Sequence, residues 1–121
     1  MGKLKVKMNK DYKGVIIEES LEDNIVLNDF DVVSLKITDD VIFSERWHLF
    51  TVQMSKQEIE KLPKLIKSGW YTHFWKGRDI IVVFKDKIFE FNYDDKSSWQ
   101  PAVEYGLSIS IPKEQLDFLI N

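Results

Sequence analysis

Alternation of apolar and polar residues dominates the chain, and it predicts strands more often than helices. Lys3 to Met8 alternates lysine with Leu4, Val6 and Met8, an edge-strand pattern in which lysines guard one side. Gly14 opens Val15-Ile16-Ile17-Glu18, a second strand. Asp29 to Thr38 carries Phe30, Val32, Leu35 and Ile37; its phase slips at Val33-Ser34, which predicts a bulge. Trp47 to Met54 alternates cleanly, with Trp47, Leu49, Thr51 and Gln53 on one face and His48, Phe50, Val52 and Met54 on the other.

The period then changes. Ser55-Lys56-Gln57-Glu58 is a capping box, in which serine hydroxyl and glutamate carboxylate each satisfy the other's backbone amide. Ile59, Leu62, Leu65 and Ile66 form the apolar face of the helix that follows. Pro63 lies inside it and must kink or split it, because proline removes the bond to the Ile59 carbonyl. Gly69 suits a left-handed helix end. A three-strand meander comes next, Trp70–Trp75, Asp79–Lys85 and Ile88–Tyr93, with turns at Lys76-Gly77 and Asp86-Lys87. A two-residue turn at Asp86-Lys87 would set Phe84 opposite Phe89, Val82 opposite Phe91 and Ile80 opposite Tyr93. Ser97 or Ser98 can cap a short helix that carries Pro101 in its first turn and ends at Gly106. Leu107–Ile111 alternates as a last strand, and Pro112 starts a final helical turn bearing Leu116, Phe118 and Leu119.

This order predicts one α+β domain over residues 1–121: a mostly antiparallel sheet of five to seven strands with two main helices. From Trp47 onward, the succession strand, helix, meander, helix, strand suggests a ferredoxin-like core with added strands.

Composition narrows the chemistry. The chain has 121 residues and no cysteine, so disulfides, thiolate metal sites and thiol nucleophiles are excluded. The longest apolar run, Ile80 to Phe84, is about a quarter of the ~20 residues a membrane helix needs, and the N-terminus has no signal-peptide core. A soluble cytoplasmic protein that does not engage a membrane is expected. The net charge of −3 argues against a general nucleic-acid binder. Charge is nonetheless uneven: residues 41–80 hold 7 basic and 4 acidic side chains, with three of the four tryptophans.

No glycine-rich nucleotide cradle and no G-x-S-x-G elbow occurs, so an enzyme of a motif-bearing class is not expected. Neither His48 nor His73 lies in a zinc-ligand spacing. No cofactor and no metal is expected. Either histidine could act as an acid or base with a carboxylate from Glu18, Glu19 or Asp23 if the fold joined them; the simpler reading is structural. The acidic run Glu18 to Asp23 could meet a hard cation, but it lacks EF-hand spacing and reads more simply as a solvated turn. Lys56, Lys61, Lys64 and Lys67 read as a solvated helix face.

Trp70 to Arg78 is the most unusual segment. A strand divides its rings, placing Trp70, Thr72 and Phe74 on one face and Tyr71, His73 and Trp75 on the other. One set enters the core. If the other face is open, Tyr71, His73, Trp75 and Arg78, near Lys76 and Lys85, form a binding surface. A protein partner or a second copy of the chain fits it as a hot spot. Single-stranded nucleic acid fits it as a stacking platform, against the net charge. If the face is covered by N-terminal strands or by the Ser97–Tyr105 helix with Trp99, the same rings are core.

Three stretches together resemble a family of small prokaryotic proteins of about 120 residues with no assigned function. They are Gly14 to Leu21; Trp70-Tyr71 and Phe74 with Ile81 to Lys87 and Phe89; and Tyr105-Gly106 with Ile111-Pro112, Gln115 and Asp117-Phe118. The resemblance implies no activity, ligand or site residue.

Overall fold

A computed structural model describes residues 9–120. Six strands form one open sheet: β1 (Tyr12–Ile17), β2 (Asp31–Ile37), β3 (His48–Met54), β4 (Tyr71–Lys76), β5 (Asp79–Phe84) and β6 (Lys87–Asn92). Their order is β2-β3-β1-β4-β5-β6, and every neighbouring pair is antiparallel. Two helices join them, α1 (Lys56–Ile59) and α2 (Gln100–Ser108). The α+β class, the predominantly antiparallel sheet and the two helices agree with the sequence pattern. No helix among the described residues is long and apolar enough to cross a membrane.

The ferredoxin-like arrangement is not formed. That fold needs a last strand, and residues 107 and 108 belong to the end of α2 instead. The alternation in Leu107–Ile111 arises because Gly106 and Ile111 are buried while Leu107 and Ser108 face solvent at the helix end. Gly106 therefore lies inside α2 rather than ending it. A Cβ there would sit 2.5 Å from Leu116 Cδ2, so the missing side chain lets Leu116 close on the helix. The expected strand Lys3–Met8 falls outside the described residues.

Local signals decide most boundaries. The capping box is present, with Ser55 accepting from the Glu58 amide at 3.2 Å and Glu58 accepting from the Ser55 amide at 3.0 Å. Pro63 splits the helix as expected: α1 stops after one turn, and Leu62–Lys64 resumes as a separate 3₁₀ turn. The bulge in β2 falls between Val32 and Ser34. The β5–β6 hairpin turns at Lys85-Asp86, one residue earlier than expected, because Asp86 takes the left-handed conformation at φ 60°. Val82 consequently pairs with Phe89 and Ile80 with Phe91. The slip is two positions in register, so each side chain keeps its face.

Both faces of the sheet carry a core. On the α1 face, Ile16, Val52, Met54, Phe74, Ile81 and Val83 pack under Ile59, Leu62 and Ile66. On the α2 face, Ile80, Val82, Phe84 and Phe91 pack under Trp99, Ala102, Leu116 and Phe118. This second cover lies over β4, β5 and β6. β5 is buried on both faces, which explains its unbroken apolar run.

Candidate functional site

The rings singled out in the sequence lie on the α2 face, where Tyr71, His73 and Trp75 pair with Phe84, Val82 and Ile80. Among the described residues, the cover that touches Tyr71 and His73 directly comes from beyond the expected Ser97–Tyr105 helix. The chain after α2, from Ile109 onward, folds back across β4. The Tyr71 hydroxyl donates to the Gln115 carbonyl, and His73 Nε2 lies 2.7 Å from the Leu119 carbonyl. Phe118, fully buried, sets its ring 5.6 Å from Tyr71, 5.9 Å from His73 and 5.4 Å from Trp99. Trp99 does reach this face, as the covered reading expected, though through Phe118 and Phe91.

A carbonyl can only accept, so the Leu119 contact assigns the proton to His73 Nε2 and leaves Nδ1 an acceptor. Burial pushes this imidazole below its ordinary value of 6.5, against the opposing pull of the Leu119 carbonyl. Burial likewise pushes the Tyr71 phenol up to about 12, with the Asp117 charge adding to it. Both side chains are neutral at physiological pH.

Arg78 is not part of this group. It lies in the β4–β5 turn, paired through Nε with Asp94 at 3.0 Å, and stacked 4.7 Å from the Tyr93 ring centre. Lys96 joins it over Tyr93 and Trp99. Sequence proximity placed Arg78 with Trp75, but the tight turn at Gly77 carries it to the end of the sheet.

The C-terminal segment covers β4 and goes no further. Beside it, on the same face, no described residue crosses the sheet surface of β1 and β3, and a cavity of about 580 Å³ lies at that boundary. Val15 and Ile17 of β1 and Leu49 of β3 form its floor, and Tyr71, His73 and Trp75 one wall. Trp47 and Trp70, in an edge-to-face pair with centroids 5.3 Å apart, close one end. Ile111, Gln115 and Leu119 make the rim. Among the described residues, no lysine, arginine, aspartate or glutamate lines it. Periodicity identified the wall rings. It missed the floor, because Val15, Ile17 and Leu49 read only as strand positions, and the strand order is what sets them beside one another on this face.

A second group forms just past Ile17, at the end of β1 that the cavity also reaches. The turn after β1 returns Glu18 and Glu19 to the start of β3. Glu19 accepts from the His48 amide at 2.9 Å and lies 2.8 Å from His48 Nδ1. Glu18 Oε1 is 3.8 Å from the same nitrogen. The hydrogen bond to Glu19 holds the His48 imidazole above its ordinary value. Burial pushes Glu19 up, but the His48 amide and ring outweigh it and hold the carboxyl below its ordinary range. The three side chains offer ligand atoms within 4.8 Å of one another. His48 and a Glu18/Glu19 carboxylate thus converge, while Asp23 instead caps a 3₁₀ turn through the Ile25 amide. Among the described residues, His73 has no carboxylate hydrogen-bonded to it.

Compared with family models, curated proteins and solved structures, the chain has no match.

Proposed function

We propose that the protein is a non-enzymatic binding module whose ligand is a small, largely apolar and uncharged molecule held in the cavity between the C-terminal segment and β1–β3. The observation that carries this reading is the cavity's composition. It has the size range of small-molecule sites, a mostly aromatic and aliphatic wall, and few polar groups. The Tyr71 hydroxyl and His73 are neutral and already turned to main-chain carbonyls, so they offer orientation rather than charge. An anionic ligand would find no cation on the wall. The same argument disfavours nucleic acid, whose affinity rests on phosphate contacts. Tyr71 and His73 are also engaged in edge-to-face contacts with Phe118, which leaves less of their rings free to stack on a base.

The cysteine-free composition supports a cytoplasmic setting. The family resemblance is compatible with this reading, since its stretches include β1, β4 and part of the segment after α2, three of the elements that line the cavity.

The test is titration with N-phenyl-1-naphthylamine, a neutral apolar fluorophore, read by its own emission and by quenching of Trp47 and Trp70. Saturable binding is expected in the wild type. Val15→Trp fills the cavity floor and should abolish it while the circular dichroism spectrum stays native. Absence of saturable binding, or equal binding by folded Val15→Trp, would overturn the reading.

A further inference from the structure

The first hairpin of the sheet is left unfinished at its outer edge. β2 pairs with β3 on one side, and on the other it is an edge whose backbone amides and carbonyls have no strand partner among the described residues. All seven residues of β2 are exposed. Edges are ordinarily blunted with charge on both faces. This one is apolar: Val32, Val33, Leu35 and Ile37 are 44 to 55% exposed. Of the eleven exposed large hydrophobic residues among those described, eight fall between positions 25 and 43.

The register with β3 assigns each β2 side chain to a face. Val32, Leu35 and Ile37 pair with Val52, Phe50 and His48 and so share the α1 face. Asp31, Ser34 and Lys36 pair with Gln53, Thr51 and Leu49 and share the α2 face. The bulge at Val33 is what puts Val32 and Leu35, three positions apart, on one side.

That assignment makes β2 complementary to itself. In a two-fold antiparallel pairing centred between Val33 and Ser34, Val32 of one copy meets Leu35 of the other and Phe30 meets Ile37, all on the α1 face. Asp31 meets Lys36 on the α2 face, twice by symmetry. A register shifted by one residue would set Val32 against Ser34 or Lys36, pairing side chains from opposite faces. Both charge and face therefore select the same register. The pairing also brings the loop bearing Val41, Ile42 and Phe43 of one copy to the end of the joint where Ile25 of the other is 63% exposed.

We propose that β2 is a self-association edge, and that two copies join through it in this register into one continuous twelve-stranded sheet. The bulge that would otherwise spoil an edge here sets the match.

The experiment uses the absence of native cysteine. Val32→Cys and Leu35→Cys are made as separate proteins. Opposed strand positions lie within disulfide reach, whereas like positions across the proposed axis are displaced along the strand. Mixing the two under mild oxidation should give a mixed-disulfide dimer, and either one alone should give little. In sedimentation, the wild type should run at twice 14.3 kDa. Lys36→Asp should weaken association about tenfold, and Asp31→Lys combined with Lys36→Asp should restore it. A wild type that is monomeric at hundreds of micromolar overturns the proposal. So does a dimer unaffected by Leu35→Lys, or cross-linking of Val32→Cys with itself in preference to the mixed pair.

Discussion

Replacing Phe118 with alanine tests how the cavity wall is held. The ring is fully buried and touches Tyr71, His73, Phe91 and Trp99. Exposing a side chain of this kind costs about 1.5–3 kcal/mol in transfer, and the void left behind brings a typical Phe-to-Ala cost to roughly 3–5 kcal/mol. The lower half of that range is expected, because the segment after α2 can lift away rather than leave an empty hole. Its other anchors are the Gln115 and Leu119 carbonyls with Ile111 and Leu116. Against a typical total of about 5–15 kcal/mol, the variant stays folded but its C-terminal segment opens far more often. Chemical denaturation gives the first number, and amide hydrogen exchange localises the loss to Ile109–Ile120. The second readout is His73. Burial depresses its pKa in the wild type, so lifting the segment should move it up toward 6.5 in an NMR titration. The pH dependence follows: a buried neutral histidine makes folding less favourable as pH falls below 6.5, and Phe118→Ala should show a shallower acid limb there. A loss under ~1 kcal/mol with an unmoved His73 titration would refute the anchoring role.

Two further outcomes follow from the same geometry. Gly14→Ala should be severely destabilising, because its Cβ would meet the His73 carbonyl oxygen at 2.6 Å and the Phe74 ring at 2.4 Å, whereas Gly106→Ala meets only the Leu116 side chain and should cost less; thermal melts of the two variants rank them. Glu19→Gln should lower the His48 pKa toward 6.5 in an NMR titration, and its stability deficit should be greatest between about pH 4.5 and 6.5, since the raised histidine contributes on the acid side and the lowered carboxylate above its own ordinary value.

Strand periodicity, the capping box, the proline break and the β2 bulge could all be read from the chain, because each is set by residues within a few positions of one another. What could not be read was which strands become neighbours. β1 is central because β3 and β4 pair on either side of it, and no local signal distinguishes it from an edge. The site was half legible for the same reason. Alternation placed Tyr71, His73 and Trp75 on one face, but their cover comes from Gln115 to Leu119, more than forty residues away, in a stretch that reads locally as a final helical turn. The convergence of His48 with Glu19, 29 positions apart, depends on the β1–β3 register and was only one of several pairings the sequence allowed.

The strand order has a consequence for where this protein meets other molecules. The segment between β1 and β2, with α1 and the turns after it, covers the α1 face over β1, β3, β4 and β5, while on the α2 face the described cover lies over β4 to β6. Among the described residues, the β2–β3–β1 half is thus left with an apolar floor at Val15, Ile17 and Leu49 and an exposed, largely apolar edge at β2. Apolar surface in contact with water is unfavourable in proportion to its area, so its concentration on one half calls for an occupant there. The two openings are separable. Val15 lies on β1 and pairs with Thr51 of β3, one strand removed from the edge that carries Leu35. Filling the cavity with Val15→Trp should leave dimerisation through β2 unchanged, and Leu35→Lys should leave the neutral fluorophore bound. Loss of both functions in either variant would mean that the two surfaces are one site, and that the occupant of the cavity is the second copy itself.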